Sequence, residues 1–443
     1  RIASENLKRL GMGKWRQLWG NVFEERVAYE LPMSSQESLK RGRHQGRRIL
    51  HSNPEEFLDY WLHRAIDARA SDIHFECFKE LLVVRYRIDG VLKKITDVPN
   101  TLHSGLVTRI KLLSYLRLDE RRVPQDGRFA FEHAGQSFDF RVSVIPSYWG
   151  ESVALRILGH DDRTTDLQSL GASEEQAIEI DMMMNASNGM ILVVGPTGSG
   201  KSTTLYAVIK KISSPERKVL TVEDPVEYQI DGVNQIAVNE RVGMTFARAL
   251  RAMLRQAPNV ILVGEIRDKE TAEMTIRAAL TGHLVLSTVH ARDTTNAVTR
   301  LVDLGIPSYL IAATLRGILS QRLVQKLCPS CARPVPCDEA FLKRSGHEGP
   351  LPTDTVTYEA VGCEHCLQTG YRGRLAAYEV LPIDAGWRER IHNYADEDVL
   401  RQKFLQEGRK SMRESAIHHY LKGHSDLNQV RGIVAEVGVY ASA

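Results

Sequence analysis

Eight consecutive residues carry the clearest chemical signal: Gly195-Pro196-Thr197-Gly198-Ser199-Gly200-Lys201-Ser202. Glycines at these spacings let the backbone curl so that successive N–H groups converge on one anion. An apolar run, Ile191 to Val194, precedes the octet, and Thr203 to Ile209 continue from it with helical character. A strand, a Gly-rich turn and a helix N-terminus in that order predict a phosphate cradle. In it Lys201 reaches the β- and γ-phosphates and the Ser202 hydroxyl ligates Mg2+.

Acids follow at two downstream positions. Val222-Glu223-Asp224-Pro225-Val226-Glu227 ends one apolar segment, and Val260-Ile261-Leu262-Val263-Gly264-Glu265 ends another. A strand that closes on an acid next to a phosphate cradle orients a metal ion and the attacking water. Glu265 suits polarisation of water for hydrolysis. A further apolar segment is bracketed by His283 and His290. The two ends of one strand cannot share a mouth, so His290 is expected near the phosphate and His283 at the opposite end.

Four of the six cysteines form two Cys-x-x-Cys pairs, Cys328/Cys331 and Cys363/Cys366. With no secretion leader in the sequence, this pattern points to metal rather than to disulfides. Four thiolates make a closed tetrahedral Zn2+ site with no open position for catalysis. The metal would staple a loop-rich segment that lacks a core of its own. Cys337 and His365 are read as non-ligands.

These groups need elements to hold them. At 443 residues, 43% hydrophobic and 26% charged, the chain fits two or three globular domains. No run approaches about 18 apolar residues, so no membrane-spanning helix is expected. The net charge is only +3, but residues 1–50 hold eleven Lys/Arg against five Glu. That basic arm, 1–52, fits a solvated helical face, an acidic partner or a membrane surface. Residues 53–158 read as a small α+β domain. Asn53-Pro54 opens a helix with Phe57, Leu58, Trp61, Leu62 and Ala65 on one face. Asp89-Gly90 turns a hairpin, a helix spans about 101–116, and strands follow near 127–132, 137–144 and 152–158. A polar linker is expected at 159–169. From 170 the pattern becomes βαβα, with strands at 190–194, 218–223, 260–264 and 283–288. That implies a mainly parallel sheet with its ligand at the strands' carboxyl ends. A cysteine-bearing insert at 327–374 and a helical region at 384–435 complete a domain running to 443.

With these motifs in order, the chain resembles the type II secretion and type IV pilus assembly ATPases. The resemblance rests on the cradle at 195–202, the acidic box at 222–227, the segment at 260–268 and the histidine box at 282–290. It extends to Ser71-Asp72-Ile73-His74-Phe75-Glu76, Tyr86 to Leu92, Pro124-Gln125-Asp126-Gly127-Arg128 and Arg141-Val142-Ser143. It implies a RecA-like P-loop domain behind a small PAS-like α+β domain, with ATP, Mg2+ and Zn2+ as cofactors. Glu265 would be the Walker B glutamate, Glu227 a second catalytic acid, and Arg141 and Arg156 would reach the γ-phosphate. The assembly would be a homohexamer in the cytoplasm, peripheral at the inner membrane on a platform protein, with no nucleic-acid partner. Cys77 stands where the family usually has proline, and Ser152 where it is commonly basic. The family's first N-terminal domain is expected as at most a 50-residue remnant. A pilus-retraction ATPase and a RecA-like nucleic-acid translocase are the alternatives; the tetracysteine element speaks against retraction.

Overall fold

The computed structural model describes residues 53–158, 166–347, 355–394 and 396–437. The basic arm at 1–52 and residues 159–165 of the expected linker lie outside them.

The first helix, Pro54–Asp67, starts where Asn53 Oδ1 accepts from the Glu55 and Glu56 amides. Its apolar stripe, Phe57, Leu58, Trp61, Leu62 and Ala65, is buried. Six strands follow: β1 (Ala70–Cys77), β2 (Leu81–Ile88), β3 (Val91–Pro99), β4 (Gln125–His133), β5 (Gln136–Ser147) and β6 (Gly150–Leu158). They form an antiparallel sheet in the order β3-β2-β1-β6-β5-β4. The helix expected at 101–116 runs His103–Leu113 and stops where the Ser114 hydroxyl turns back to the Ile110 carbonyl. Both helices share one apolar cluster with Phe75, Tyr86, Phe140, Val142 and Leu155, so they cover the same sheet face. Strand alternation then sends Arg87, Arg128, Arg141 and Arg156 to the other face.

The second sheet holds β7 (Gly189–Val194), β8 (Val219–Glu223), β9 (Val233–Ala237), β10 (Val260–Val263), β11 (Leu284–Val289), β12 (Leu315–Leu327) and β15 (Tyr371–Pro382). Its order is β15-β12-β7-β11-β10-β8-β9, all parallel except the edge strand β15. Met190, Leu192 and Val194 face one cluster that includes Trp387 and Phe404. Ile191 and Val193 face another that includes Leu205 and Ile209. Coverage on both faces explains why these strands are apolar throughout rather than alternating. The strands expected at 190–194, 218–223, 260–264 and 283–288 are β7, β8, β10 and β11. The strands β9, β12 and β15 went unanticipated.

The cysteine-bearing segment leaves β12 and returns into β15, with its own two-stranded sheet of β13 (Arg333–Pro336) and β14 (Val356–Glu359). Four helices from Ala385 to Val437 close the chain. Glu379 of β15, fully buried, ties them down. It accepts from the Thr294 amide and hydroxyl, from Arg401 and from the Met412 amide. Four donors, one of them charged, offset the cost of burying that carboxylate. Among the described residues no helix is long and apolar enough to cross a membrane.

Candidate active site

The neighbouring parallel strands β7, β11, β10 and β8 send all four motif loops to one edge of the sheet. The cradle follows β7, and the helix Lys201–Ile212 begins at its end. Gly195, Gly198 and Gly200 take φ of 148°, 79° and 86°. A Cβ on Gly195 would lie 2.6 Å from the Gln321 carbonyl, whereas one on Gly198 would meet nothing within 4 Å. The loop is thus packed against β12 behind and open in front. Pro196, Thr197 and Ser202 are exposed, Thr203 is half-buried and Ser199 is buried. Lys201 Nζ donates to the Gly195 and Pro196 carbonyls, 2.9 Å each. Burial draws its ammonium below the ordinary range, while Glu265 pulls the other way. Gln321 of β12 donates to the Ser199 carbonyl from behind. Among the described residues, Ser199 Oγ and Gln321 Oε1 are buried without a partner. Positive-φ glycines and a lysine folded onto the loop fit a polyphosphate.

Glu265 is fixed through its neighbours. Gly264 N donates to the Val222 carbonyl of β8 and Ile266 N to the Thr288 carbonyl of β11, at 2.8 and 2.9 Å. The hydroxyls of Ser287 and Thr288 return to Val263 and Gly264 carbonyls, which accounts for two polar residues on a buried strand. The Glu265 carboxylate meets Arg267 at 2.5 Å and His290 Nε2 at 3.5 Å. Arg267 also stands 3.8 Å from Asp224, joining the loops after β8 and β10. His283 sits at the far end of β11 against the Ala278 carbonyl. The strand separates the two histidines as their spacing required.

The acidic box divides its labour. Glu223 is buried and accepts from Tyr206, Thr221 and Gln235. Glu227 is half-buried, and its amide donates to the Tyr206 hydroxyl. Burial pushes the Glu227 carboxyl up, and Arg156, Arg141 and Arg128 of the first sheet pull it down. Those arginines are aligned by register. Arg87 opposes Asp72, Asp72 opposes Arg156, Arg156 opposes Arg141, and Arg141 opposes Arg128. The result is one row across five strands, with Asp72 its single anion. Arg156 Nε donates to Asp72 Oδ1 at 2.9 Å, and Arg87 Nε lies 3.5 Å from Oδ2. Like charges directly opposite each other destabilise a sheet. Such a row is the arrangement expected where an anion must be met. Sequence reasoning placed Arg141 and Arg156 by resemblance and missed Asp72, Arg128, Arg267 and Gln321. The Asp-Gly-Arg and Ser-Asp-Ile-His segments flagged two of these without showing that they shared a row.

The four cysteines Cys328, Cys331, Cys363 and Cys366 converge, with all sulfurs within 4.8 Å of one another. Cys328–Cys363, Cys331–Cys366 and Cys363–Cys366 are 3.9, 3.8 and 3.7 Å apart. Sulfurs about 2.3 Å from a tetrahedral Zn2+ stand about 3.8 Å from each other, so the cluster fits that ion. Burial opposes ionisation of Cys366, but the Cys363 and Gly370 amides aimed at its sulfur bring the thiol down to about 6. Cys337 lies outside that group of sulfurs, packed against the apolar cluster that includes Val324, Phe341 and Tyr420.

A mainly parallel sheet with this cradle after one strand and an acid after a neighbouring strand defines a P-loop ATPase of the RecA-like class. The family described as "Type II/IV secretion system protein" matches residues 51–432, and the chain belongs to it. Type II secretion system protein E of Aeromonas hydrophila is 46% identical over 375 residues, 85% of this chain and 74% of that protein. Type II secretion system ATPase E of Vibrio cholerae is 44% identical over 381 residues, 86% and 75% of the two chains. Among solved structures, the pilus retraction motor PilT with bound ADP is 28% identical, with a TM-score of 0.58 over 85% of this chain and 96% of that one. The Legionella pneumophila ATPase DotB, at 23% identity and a TM-score of 0.65 over 87% and 96%, shares the fold. The chain is a secretion-system motor ATPase that hydrolyses ATP.

Proposed function

We propose that the chain works as a homohexameric ring in the cytoplasm, peripheral at the inner membrane. There its ATP hydrolysis drives pseudopilin assembly on a membrane platform protein. The names of its 44–46% identical relatives favour a secretion pseudopilus over a true pilus. The tetracysteine cluster favours assembly over retraction. The observation that carries the motor reading is the arginine row that faces Glu227, because it makes the site of the second domain depend on the first domain of the same chain. In the proposed division, hydrolysis closes and opens the angle between 53–158 and 170–443, which 159–169 join.

In this reading Gly195 to Thr203 hold the phosphates, Lys201 bridges the β- and γ-phosphates and Ser202 ligates Mg2+. The ion would neutralise charge on the β- and γ-oxygens. Glu265 orients the attacking water, with His290 against its carboxylate, and Glu227 is the second catalytic acid. Arg141 and Arg156 neutralise the charge developing on the transferred phosphoryl group, an effect of about 10³–10⁵ in rate in other NTPases. Cys328, Cys331, Cys363 and Cys366 hold a structural Zn2+. Glu265→Gln should bind ATP with a Kd within about threefold of the parent and lose about 10²-fold or more in turnover. Lys201→Ala should lose both binding and turnover. Normal turnover in Glu265→Gln would refute the assignment.

A further inference from the structure

The turn between β2 and β3 does more than reverse the chain. Asp89 and Gly90 both take positive φ, 48° and 86°, as a tight hairpin turn requires. Asp89 then makes two contacts with the other sheet. Its Oδ2 accepts from the Gly373 amide of β15 at 2.9 Å, and its carbonyl accepts from Gln325 Nε2 of β12 at 3.0 Å. Next to it, Lys93 Nζ donates to the Leu367 carbonyl at 3.4 Å. Leu367 directly follows Cys366 and packs its side chain against the core of the first sheet. Leu367 and Gln368 hold φ of 52° and 60°. The knuckle closed by Cys363 and Cys366 therefore presents a fixed, strained turn to the neighbouring sheet.

We propose that Asp89 is a positioning residue for ATP hydrolysis. It latches the β2–β3 turn to β12, β15 and the cysteine knuckle, and so holds the arginine row over Glu227. The inference rests on the reading that this row meets the phosphate. Geometry supplies the leverage. The row begins at Arg87, two residues before Asp89. At about 4.8 Å per strand, Arg156 lies about 10 Å and Arg141 about 14 Å across the sheet from it. A swing of about 10° around the latch would move Arg141 by about 2.5 Å, and misplacement by about 1 Å is enough to cost 10²-fold in rate. The amide-to-carboxylate bond is charge-assisted, the stronger kind.

The test uses the full chain with Asp89→Gly, which keeps a turn tolerant of positive φ and removes the carboxylate. The expected result is at least tenfold faster hydrogen exchange at the Gly373 amide, about 30–100-fold lower kcat and a KM for ATP changed by less than about twofold. Asp89→Asn, which keeps an acceptor oxygen and suits the turn, should restore most of the kcat. Chelation of Zn2+ should raise exchange at 89–93 as well. Unchanged Gly373 exchange or unchanged kcat in Asp89→Gly overturns the latch, as does exchange raised equally throughout the molecule. Full turnover in Arg141→Gln overturns the underlying arginine reading instead, and leaves the Gly373 exchange result unaffected.

Discussion

Asp72→Asn isolates what the single anion in the arginine row does. The Asp72 side chain is 10% exposed and holds Arg156 and Arg87 at once, with the Ser71 hydroxyl on Oδ2 at 2.8 Å. Asparagine keeps the shape and one acceptor but turns an NH2 toward a guanidinium. Arg156 is 60% exposed, so the ion pair itself contributes little to stability once solvent screens it, about 1 kcal/mol or less. The larger effect is on order. A released arginine regains up to about 2 kcal/mol of side-chain entropy, which must be given up again in the transition state. At 1.36 kcal/mol per decade, 2 kcal/mol corresponds to about 30-fold in kcat. That lies well below the 10³–10⁵ attributed to a whole arginine, as it should when the residue is loosened rather than deleted. Steady-state ATP hydrolysis should be measured for Asp72→Asn, Arg156→Gln and the double variant. If Asp72 acts through Arg156, the double variant should be no slower than Arg156→Gln within about threefold. A full 30-fold loss persisting in the Arg156→Gln background would refute the reasoning, as would unchanged turnover in Asp72→Asn.

Two further outcomes test other parts of the molecule. Cys331→Ser should reduce bound zinc from one per chain to near none by atomic emission, and hydrogen exchange at 363–370 should rise; an unchanged zinc content would remove the metal assignment. His419 is 2% exposed, bonded to the Ala376 carbonyl, and burial draws its imidazole down to about 4. The folded ring stays neutral where the unfolded ring, near 6.5, takes up a proton. Stability is therefore lost as pH falls from about 6.5 to 4, by roughly 3 kcal/mol in all, and His419→Gln should flatten that slope in urea unfolding. An equally steep slope in the variant would count against it.

Much of the site was legible because its parts are local. Glycine spacing, an apolar run before it and an acid after a strand are short-range patterns, and they located β7, β8, β10 and β11. What stayed hidden was long-range. The arginine row exists only because four pairs in three hairpins and one non-local pairing, β1 with β6, share a register. β12 was hidden for a different reason. Its buried positions include Ser320, Gln321 and Arg322, which interrupt the apolar run. They are buried because they serve neighbours: Gln321 supports the cradle, and Arg322 reaches the Arg292 carbonyl and Glu436. A strand recruited to satisfy other segments loses the hydrophobic signature that would announce it.

β12 also carries two docking points in one stretch. Gln321 engages the cradle and Gln325 engages the Asp89 turn, four residues and about 13 Å further on. An even separation keeps both side chains on one face. A single inserted residue between them would turn one of the two to the opposite face, and a pair of inserted residues would carry the turn about 6.6 Å from its seat. Sequences descended from this one can exchange side chains along the stretch, but they cannot change its length without uncoupling the cradle from the knuckle.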